Sequence, residues 1–490
     1  MFNFEEILEL KENNRVEFKL AKGGFPKSIW ETYSSFANIS GGKIVLGVEE
    51  AGDKSYKIVG LTNAEKTLQD FWNGINNSQV VSLNILINSN VQILDDLEKQ
   101  IVVIDVPRAN RQDKPIYVGE NPFKGTFRRN GEGDYRCSKE EINNMLRDQA
   151  AISQDLKVLE GMGMDVFDFE SLKRYRIRLS HQRPGHIWES LEDEVFLQKI
   201  GGIARGTEGK LHPTCAGLLM FGHENEIVKE FSNYFLDYQE KLDEDTRWSD
   251  RIVSSSGDWS GNLFDFYFKV YNKISSSVKV PFKIAEGTNR VDDTPMHEAL
   301  REALVNAIIH ANYYERQGLV VEHLKDRIII SNPGGFRISI ADAMNGGISD
   351  PRNVTLVKMF NLISIGDRAG SGLNKIQTIW AQEGFPQPEI SESFNPERIT
   401  LSLSFLKSKK TSDKKQAIKT SDKKQAIKIK QEQIILDYLA KVKVASAEDI
   451  SKILGVSRDR ARVILKDLVA TRSISSEGAN KNRIYKSVDV

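Results

Sequence analysis

The sequence predicts a multidomain protein of mixed α/β and α+β class, and three observations predict it. The chain has 490 residues, 40% hydrophobic and 28% charged, room for about three ordinary globular domains. Strand and helix patterns alternate near the N-terminus and again between 290 and 400. A lysine-rich repeat, TSDKKQAIK at 411–419 and again at 420–428, reads as a tether before a short helical segment. The expected division is 1–150, a helical connector at 151–210, 211–405, a linker at 406–430 and a terminal module at 431–490.

Composition removes several classes. Cys137 and Cys215 are the only cysteines, so one chain assembles neither a disulfide framework nor a cysteine-rich zinc site. The seven histidines include no close pair on a convincing helix. The start lacks a basic stretch followed by an apolar one, and no run of ~18 apolar residues follows, so the expectation is a cytoplasmic protein with no membrane span. Residues 401–490 carry 21 basic and 10 acidic side chains, whereas the first 400 carry 47 and 58. A basic tail on an acidic body suits a polyanionic partner or a solvated tether.

In the first module, Val16, Phe18 and Leu20 alternate with Arg15, Glu17 and Lys19, the two-residue period of a strand with one buried face. Ile29, Tyr33, Phe36 and Ala37 then mark a helix side, Asn38–Gly42 ends it, and KIVLGV forms a second strand that stops at Glu49-Glu50. Carboxylates converging from neighbouring strands beside a lysine are what a divalent-metal phosphodiesterase uses; an exposed edge with a surface ion pair is the competing reading. ENNRVEFK with SSFANISGGKIVLGVEEAG resembles the Schlafen-type AlbA-like domain, and FRRNGEGDY is similar to its later arginine-rich turn. That resemblance implies nucleic-acid binding and a candidate nuclease. Its acidic set falls on Glu12, Glu17 and Glu50 as ligands for magnesium or manganese, with Lys19 beside them and Arg128 and Arg129 toward nucleic acid. The family's terminal acids are Asp, where this chain has Glu49 and Glu50.

The connector contains helical stretches and the mixed-charge SLKRYRIRLSHQRPGHIW, and the aromatic run GNLFDFYFKVYNKI at 261–274 reads as core packed against a sheet. In HEALREALVNAIIHANYY, Glu298, Glu302, Asn306 and His310 fall four apart on one helix face, while Leu300, Ala303, Leu304, Ala307 and Ile308 supply the apolar side. A carboxylate one turn before a carboxamide suits ATP hydrolysis, because Glu can orient water and an amide oxygen can ligate magnesium. Gly334-Gly335 follows a strand and Gly370 and Gly372 precede a helix, turns whose backbone amides can approach phosphate.

Residues 290–400 resemble the GHKL ATPase fold, and more closely its RecG-like C-terminal subfamily, whose lead-in strand LHPTCAGLLMFG resembles. The resemblance implies ATP and Mg2+ as cofactors and a homo-oligomer. Glu302 is then the water-activating residue and Asn306 the magnesium ligand. Gly334 and Gly335 form one glycine box, and Gly370, Ser371 and Gly372 the second. Arg352, Asn353 and Arg368 lie in the lid, and Asn332 stands where the subfamily reads adenine with Asp. His310-Ala-Asn-Tyr313 replaces the subfamily's His-Arg-Asp-Tyr.

At the C-terminus, 431–440, 446–454 and 457–469 read as three short helices followed by a hairpin, similar to a winged helix-turn-helix. Ala461, Ile464, Leu465 and Leu468 point inward, while Arg458, Arg462 and Lys466 recur on a face suited to DNA. Two functions fit the whole: an ATP-controlled nucleic-acid-binding protein with a nuclease domain, plausible in antiviral defence, or an ATP-responsive DNA-binding transcription regulator.

Overall fold

The computed structural model describes residues 15–406, apart from 22–23, 51–55, 97–98, 243–246, 278–293, 367–369, 371 and 395, and parts of 435–487. The chain divides into two compact units, 1–406 and 407–490.

The first unit begins as the periodicity predicts. Strand β1 (Val16–Lys19) buries Val16 and Phe18, and helix α1 (Ile29–Asn38) leads to β2 (Gly42–Leu46), which pairs parallel to β1. Gly41 allows this turn with φ at +72°, and a Cβ there would lie 2.7 Å from the Val106 carbonyl oxygen. Strands β3 (Val48–Glu50) and β4 (Tyr56–Ile58) form a separate antiparallel pair. Helix α2 (Ala64–Ile75) precedes β5 (Val91–Asp96) and β6 (Lys99–Val106), which complete a sheet of order β1-β2-β6-β5. The hairpin β7 (Phe127–Asn130) and β8 (Gly133–Arg136) packs on α1, and α3 (Lys139–Gln149) follows with Ser138 as its cap.

The segment expected as a connector is built into the next core. Helices α4 (Phe169–Gln182) and α5 (Asp193–Ile200) contribute Leu172, Tyr175, Phe196 and Leu197 to one hydrophobic cluster that runs from Leu159 to Leu403. Strands β9 (Ile203–Arg205) and β10 (Leu211–Pro213) pair antiparallel. The lead-in expected as a strand keeps only the three residues of β10. Thr214 then accepts from the Gly217 amide at 3.1 Å and caps helix α6 (Cys215–Phe221), because the small Cys215-Ala216-Gly217 turn allows close packing there.

Strands β11 (Leu236–Lys241) and β12 (Asp250–Val253) join β13 (Leu319–Leu324), β14 (Arg327–Pro333), β15 (Glu389–Ser393) and β16 (Arg398–Ser404). The sheet order is β12-β11-β13-β14-β16-β15, parallel only between β11 and β13. Helix α7 (Leu263–Ser277) carries the aromatic run and is core as expected, packing against helices α6, α4 and α8 (Pro295–His310) in the same hydrophobic cluster as Leu236, Tyr238 and Val321 of the sheet. Helices α9 (Val354–Leu362) and α10 (Gly372–Gln382) pack on α8, with α10 entering directly from the second glycine turn.

The second unit is described in part. A three-stranded sheet of order β17-β19-β18 is made by β17 (Val444–Ser446), β18 (Ile474–Glu477) and β19 (Ile484–Ser487), with helix α11 (Ala447–Leu454). Ala461, Ile464, Leu465 and Leu468 are buried with Ile435, Leu439 and Ile450, as their helical spacing predicts. The repeat at 411–428 and Ser457, read as a helix cap, lie outside the described residues. Among the described residues, no helix is long and apolar enough to cross a membrane.

Candidate functional site

A cavity opens between α8, β14, β16 and the start of α10. Its lining includes Glu302, Asn306, Asn332, Gly335, Gly370 and Gly372, which come from three separated stretches of sequence. Ala303, Ala307, Ile330, Ile399 and Leu401 give it an apolar wall. Apolar walls with a few convergent polar groups are the usual make-up of a small-molecule site.

The polar stripe predicted on α8 faces this cavity and α10. Glu298 pairs with Lys375 at 2.5 Å, and Asn306 donates its amide Nδ2 to Glu302 Oε1 at 3.1 Å. That orientation leaves the Asn306 amide oxygen without a donor among the described residues, so a hard oxygen-seeking cation fits there. Asn332 is 5% exposed, and its amide makes only a long 3.4 Å contact to the Pro333 carbonyl. Its amide oxygen accepts no hydrogen bond among the described residues and can take one from a ligand. Gly372 lies close to both groups: a Cβ there would stand 2.3 Å from Glu302 Oε1 and 2.6 Å from Asn306 Nδ2, and would displace these side-chain ends. Gly370 has φ +66° and lies against the Ile348 backbone, where a Cβ would come within 2.6 Å of the carbonyl oxygen.

The first glycine pair behaves differently from expectation. Gly335 lines the cavity, whereas Gly334, with φ +90°, faces Arg352 and Asn312, where a Cβ would meet the Arg352 guanidinium at 2.7 Å. The space beside Gly335 is taken by carboxylates: a Cβ would lie 2.5 Å from Glu392 Oε1 and 2.7 Å from Glu397 Oε1. Arg352 and Asn353 are each only 5% exposed, so they are anchors and not a lid. Asn353 donates to the carbonyls of Ile309 (3.1 Å) and Ala311 (2.8 Å), which fixes the end of α8. His310 also lines the cavity; burial, then Arg352 and Arg337, push its imidazole down to about 4, so it is neutral near pH 7. Arg368 and Ser371 lie outside the described residues.

In the N-terminal sheet, Glu17 and Lys19 share one face of β1 as predicted, but both are largely buried and each carboxylate oxygen is already paired. Glu17 Oε1 accepts from Lys19 at 2.8 Å and Oε2 accepts from Arg129 at 2.7 Å. Burial alone would raise its carboxyl; Lys19 and Arg129 outweigh that and hold it below the usual carboxylate range. Arg129 is corrected from its expected role toward nucleic acid. Its side chain is 1% exposed and also bonds Asp134 at 3.1 Å. Arg128 is likewise turned inward, pairing with Glu141 at 3.0 Å.

Glu50 stands exposed on β3, in a different sheet from Glu17, and Glu12 lies outside the described residues. Among the described residues, no three His, Cys, Asp or Glu side chains are gathered to hold a metal. The neighbouring β8 offers what sequence reasoning passed over: Tyr135 is 54% exposed and Arg136 is exposed beside it. Both are exposed although consecutive, so the two-residue period of a half-buried strand is missing here and gave no sequence signal. Arg458, Arg462 and Lys466 lie outside the described residues.

Comparison with known proteins agrees with the motifs. Residues 12–138 match the family model described as "Schlafen, AlbA_2", and residues 317–401 match the one described as "Putative ATP-dependent DNA helicase recG C-terminal". The chain thus combines these two kinds of domain. Residues 143–237 match a model described as a domain of unknown function, which runs across the boundary read at 210. No curated protein matches the sequence. Among solved structures, the DIP2311 protein from Corynebacterium diphtheriae is similar at 15% identity over 97% of this chain and 95% of that one, with TM-score 0.40. The N-terminal domain of a "Putative ATP-dependent DNA Helicase RecG-related Protein" from Nitrosomonas europaea is similar at 29% identity over 27% of this chain and 89% of that one, with TM-score 0.22.

Proposed function

We propose that this chain is an ATP-controlled nucleic-acid-binding protein in which the α8 cavity takes the nucleotide and the flanking modules meet the polynucleotide. One observation carries the reading: Glu302, Asn306, Asn332, Gly335, Gly370 and Gly372 line a single cavity. Asn332 reads the base edge through its amide, and the Gly370–Gly372 turn brings backbone amides to the phosphates at the start of α10. Asn306 would hold a magnesium ion through its amide oxygen, and the ion would neutralise charge at the phosphates. Glu302, one helical turn before it, orients water for hydrolysis. The exposed Tyr135 and Arg136 of β8 stack on bases and contact phosphate, and the terminal unit is a winged helix that adds a second contact. The protein acts in the cytoplasm as a homo-oligomer.

Within this function, two outcomes differ. Metal-dependent cleavage by the N-terminal carboxylates, with a role in antiviral defence, is one. Nucleotide-responsive DNA binding without cleavage is the other, and the pairing of both Glu17 oxygens with cations favours it. Isothermal titration with ATP and magnesium tests the cavity: micromolar binding by the wild-type chain is expected, and no binding overturns the proposal. Incubation with tRNA, single-stranded RNA and duplex DNA, with magnesium or manganese and with or without ATP, separates the two outcomes. Cutting that depends on Glu17 establishes the first; ATP-dependent retention of an intact duplex establishes the second.

A further inference from the structure

The wall of the nucleotide cavity from Phe336 to Asp350 is held from outside its own domain. Arg111, in the turn after β6, donates from Nε to Asp350 at 2.6 Å and from Nη1 to the carbonyls of Asp148 at 2.6 Å and Ala150 at 3.2 Å. Arg108 forks onto Glu392, at 2.8 and 3.1 Å, and reaches the Phe336 carbonyl at 2.6 Å. Asp148, near the end of α3, receives Arg352 on both oxygens, at 3.0 and 2.6 Å. Arg352 in turn donates to the His310 carbonyl at 2.6 Å and to the Gly335 carbonyl at 3.4 Å. Phe336, Asp350, His310 and Gly335 all line the cavity.

The same residues run back into the N-terminal sheet. Lys114, three residues after Arg111, bonds the Asn38 carbonyl at the end of α1. The Asn38 amide donates to the carbonyls of Ile116 at 2.8 Å and Phe127 at 3.1 Å. Phe127 opens β7, which carries Arg128 and Arg129 and leads into the exposed Tyr135 and Arg136. These contacts are continuous, short and largely buried, so a shift of the cavity wall has a physical route to the hairpin.

We propose that Arg108, Arg111 and Asp148 are positioning residues of the nucleotide site, so that the N-terminal module completes the cavity and occupancy is relayed to the β7–β8 hairpin. This rests on the proposed function. By linkage, a polynucleotide bound at the hairpin changes nucleotide affinity by the same factor as nucleotide changes polynucleotide affinity.

The test uses the full chain. Titration of ATP with magnesium into Arg111→Gln is expected to show about tenfold weaker binding than wild type, within the range of ordinary site coupling. Arg111→Lys, which keeps a cation beside Asp350, is expected to lose less affinity than Arg111→Gln. Amide exchange across 127–136 is expected to slow on ATP addition in wild type and not in Arg111→Gln. A folded Arg111→Gln that binds ATP as wild type does, or a wild type that binds ATP without any change in exchange at 127–136, overturns the inference and leaves the nucleotide reading standing. Failure of the wild-type chain to bind ATP removes both.

Discussion

Two sites in this protein carry equally recognisable motifs, and their side chains are in opposite states. At the α8 cavity, the amide oxygens of Asn306 and Asn332 have no donor among the described residues, and Gly372 leaves space beside Asn306. On β1, both oxygens of Glu17 already accept from cations, one of which, Arg129, is almost wholly buried. A group kept unsatisfied next to open space is arranged for a ligand, whereas a carboxylate with two internal partners is arranged for the fold. The difference explains why one set of motif residues gathers around a cavity and the other serves as a strut between β1 and the β7–β8 hairpin.

Substitutions can break that contrast, and the largest effect is expected at Gly372. Gly372→Ala places a methyl group against Glu302 and Asn306, and ATP affinity should fall by about 100-fold or more, equal to ~2.7 kcal/mol, in a calorimetric titration. The melting temperature should hardly move, because Ala is a better helix former than Gly. Unchanged affinity would mean that the phosphates do not approach this turn.

Asn306→Ala should weaken magnesium-dependent ATP binding by about 10- to 100-fold while leaving magnesium-free binding nearly intact. Equal loss in both conditions would point to a packing role instead. Glu17→Ala is expected to reverse this pattern: nucleotide affinity stays, and urea denaturation shows a loss of about 1–3 kcal/mol, since the buried Arg129 loses one carboxylate partner and keeps Asp134. If Glu17→Ala instead keeps its stability and loses nucleic-acid cleavage, Glu17 is reactive and the contrast fails.

The smallest effect concerns pH. Burial, then Glu397 and Glu140, raise the Glu315 carboxyl from 4.5 to about 7. A raised folded-state pKa contributes stability that is complete below 4.5 and is lost as pH rises through about 7. Glu315→Gln should therefore flatten the decline in melting temperature across that window. A decline of the same slope in the variant would assign it to other groups.

Local pattern accounts for much of what is seen. The alternation of β1, the amphipathic register of α8, the glycines before α10 and the buried Ala461, Ile464, Leu465 and Leu468 were all legible, because helix and strand periodicity is written over a few neighbouring residues. The lead-in helix α6 was missed because a short apolar run satisfies either period.

What tertiary structure alone decided was which charges meet. Arg129 finds Glu17 from 112 residues away, and Arg352 finds Asp148 from 204 residues away. Lys, Arg, Asp and Glu together are 28% of this sequence, so every cation has many equivalent partners along the chain. Only packing selects among them, because an ion pair gains its strength from a burial that no local pattern records.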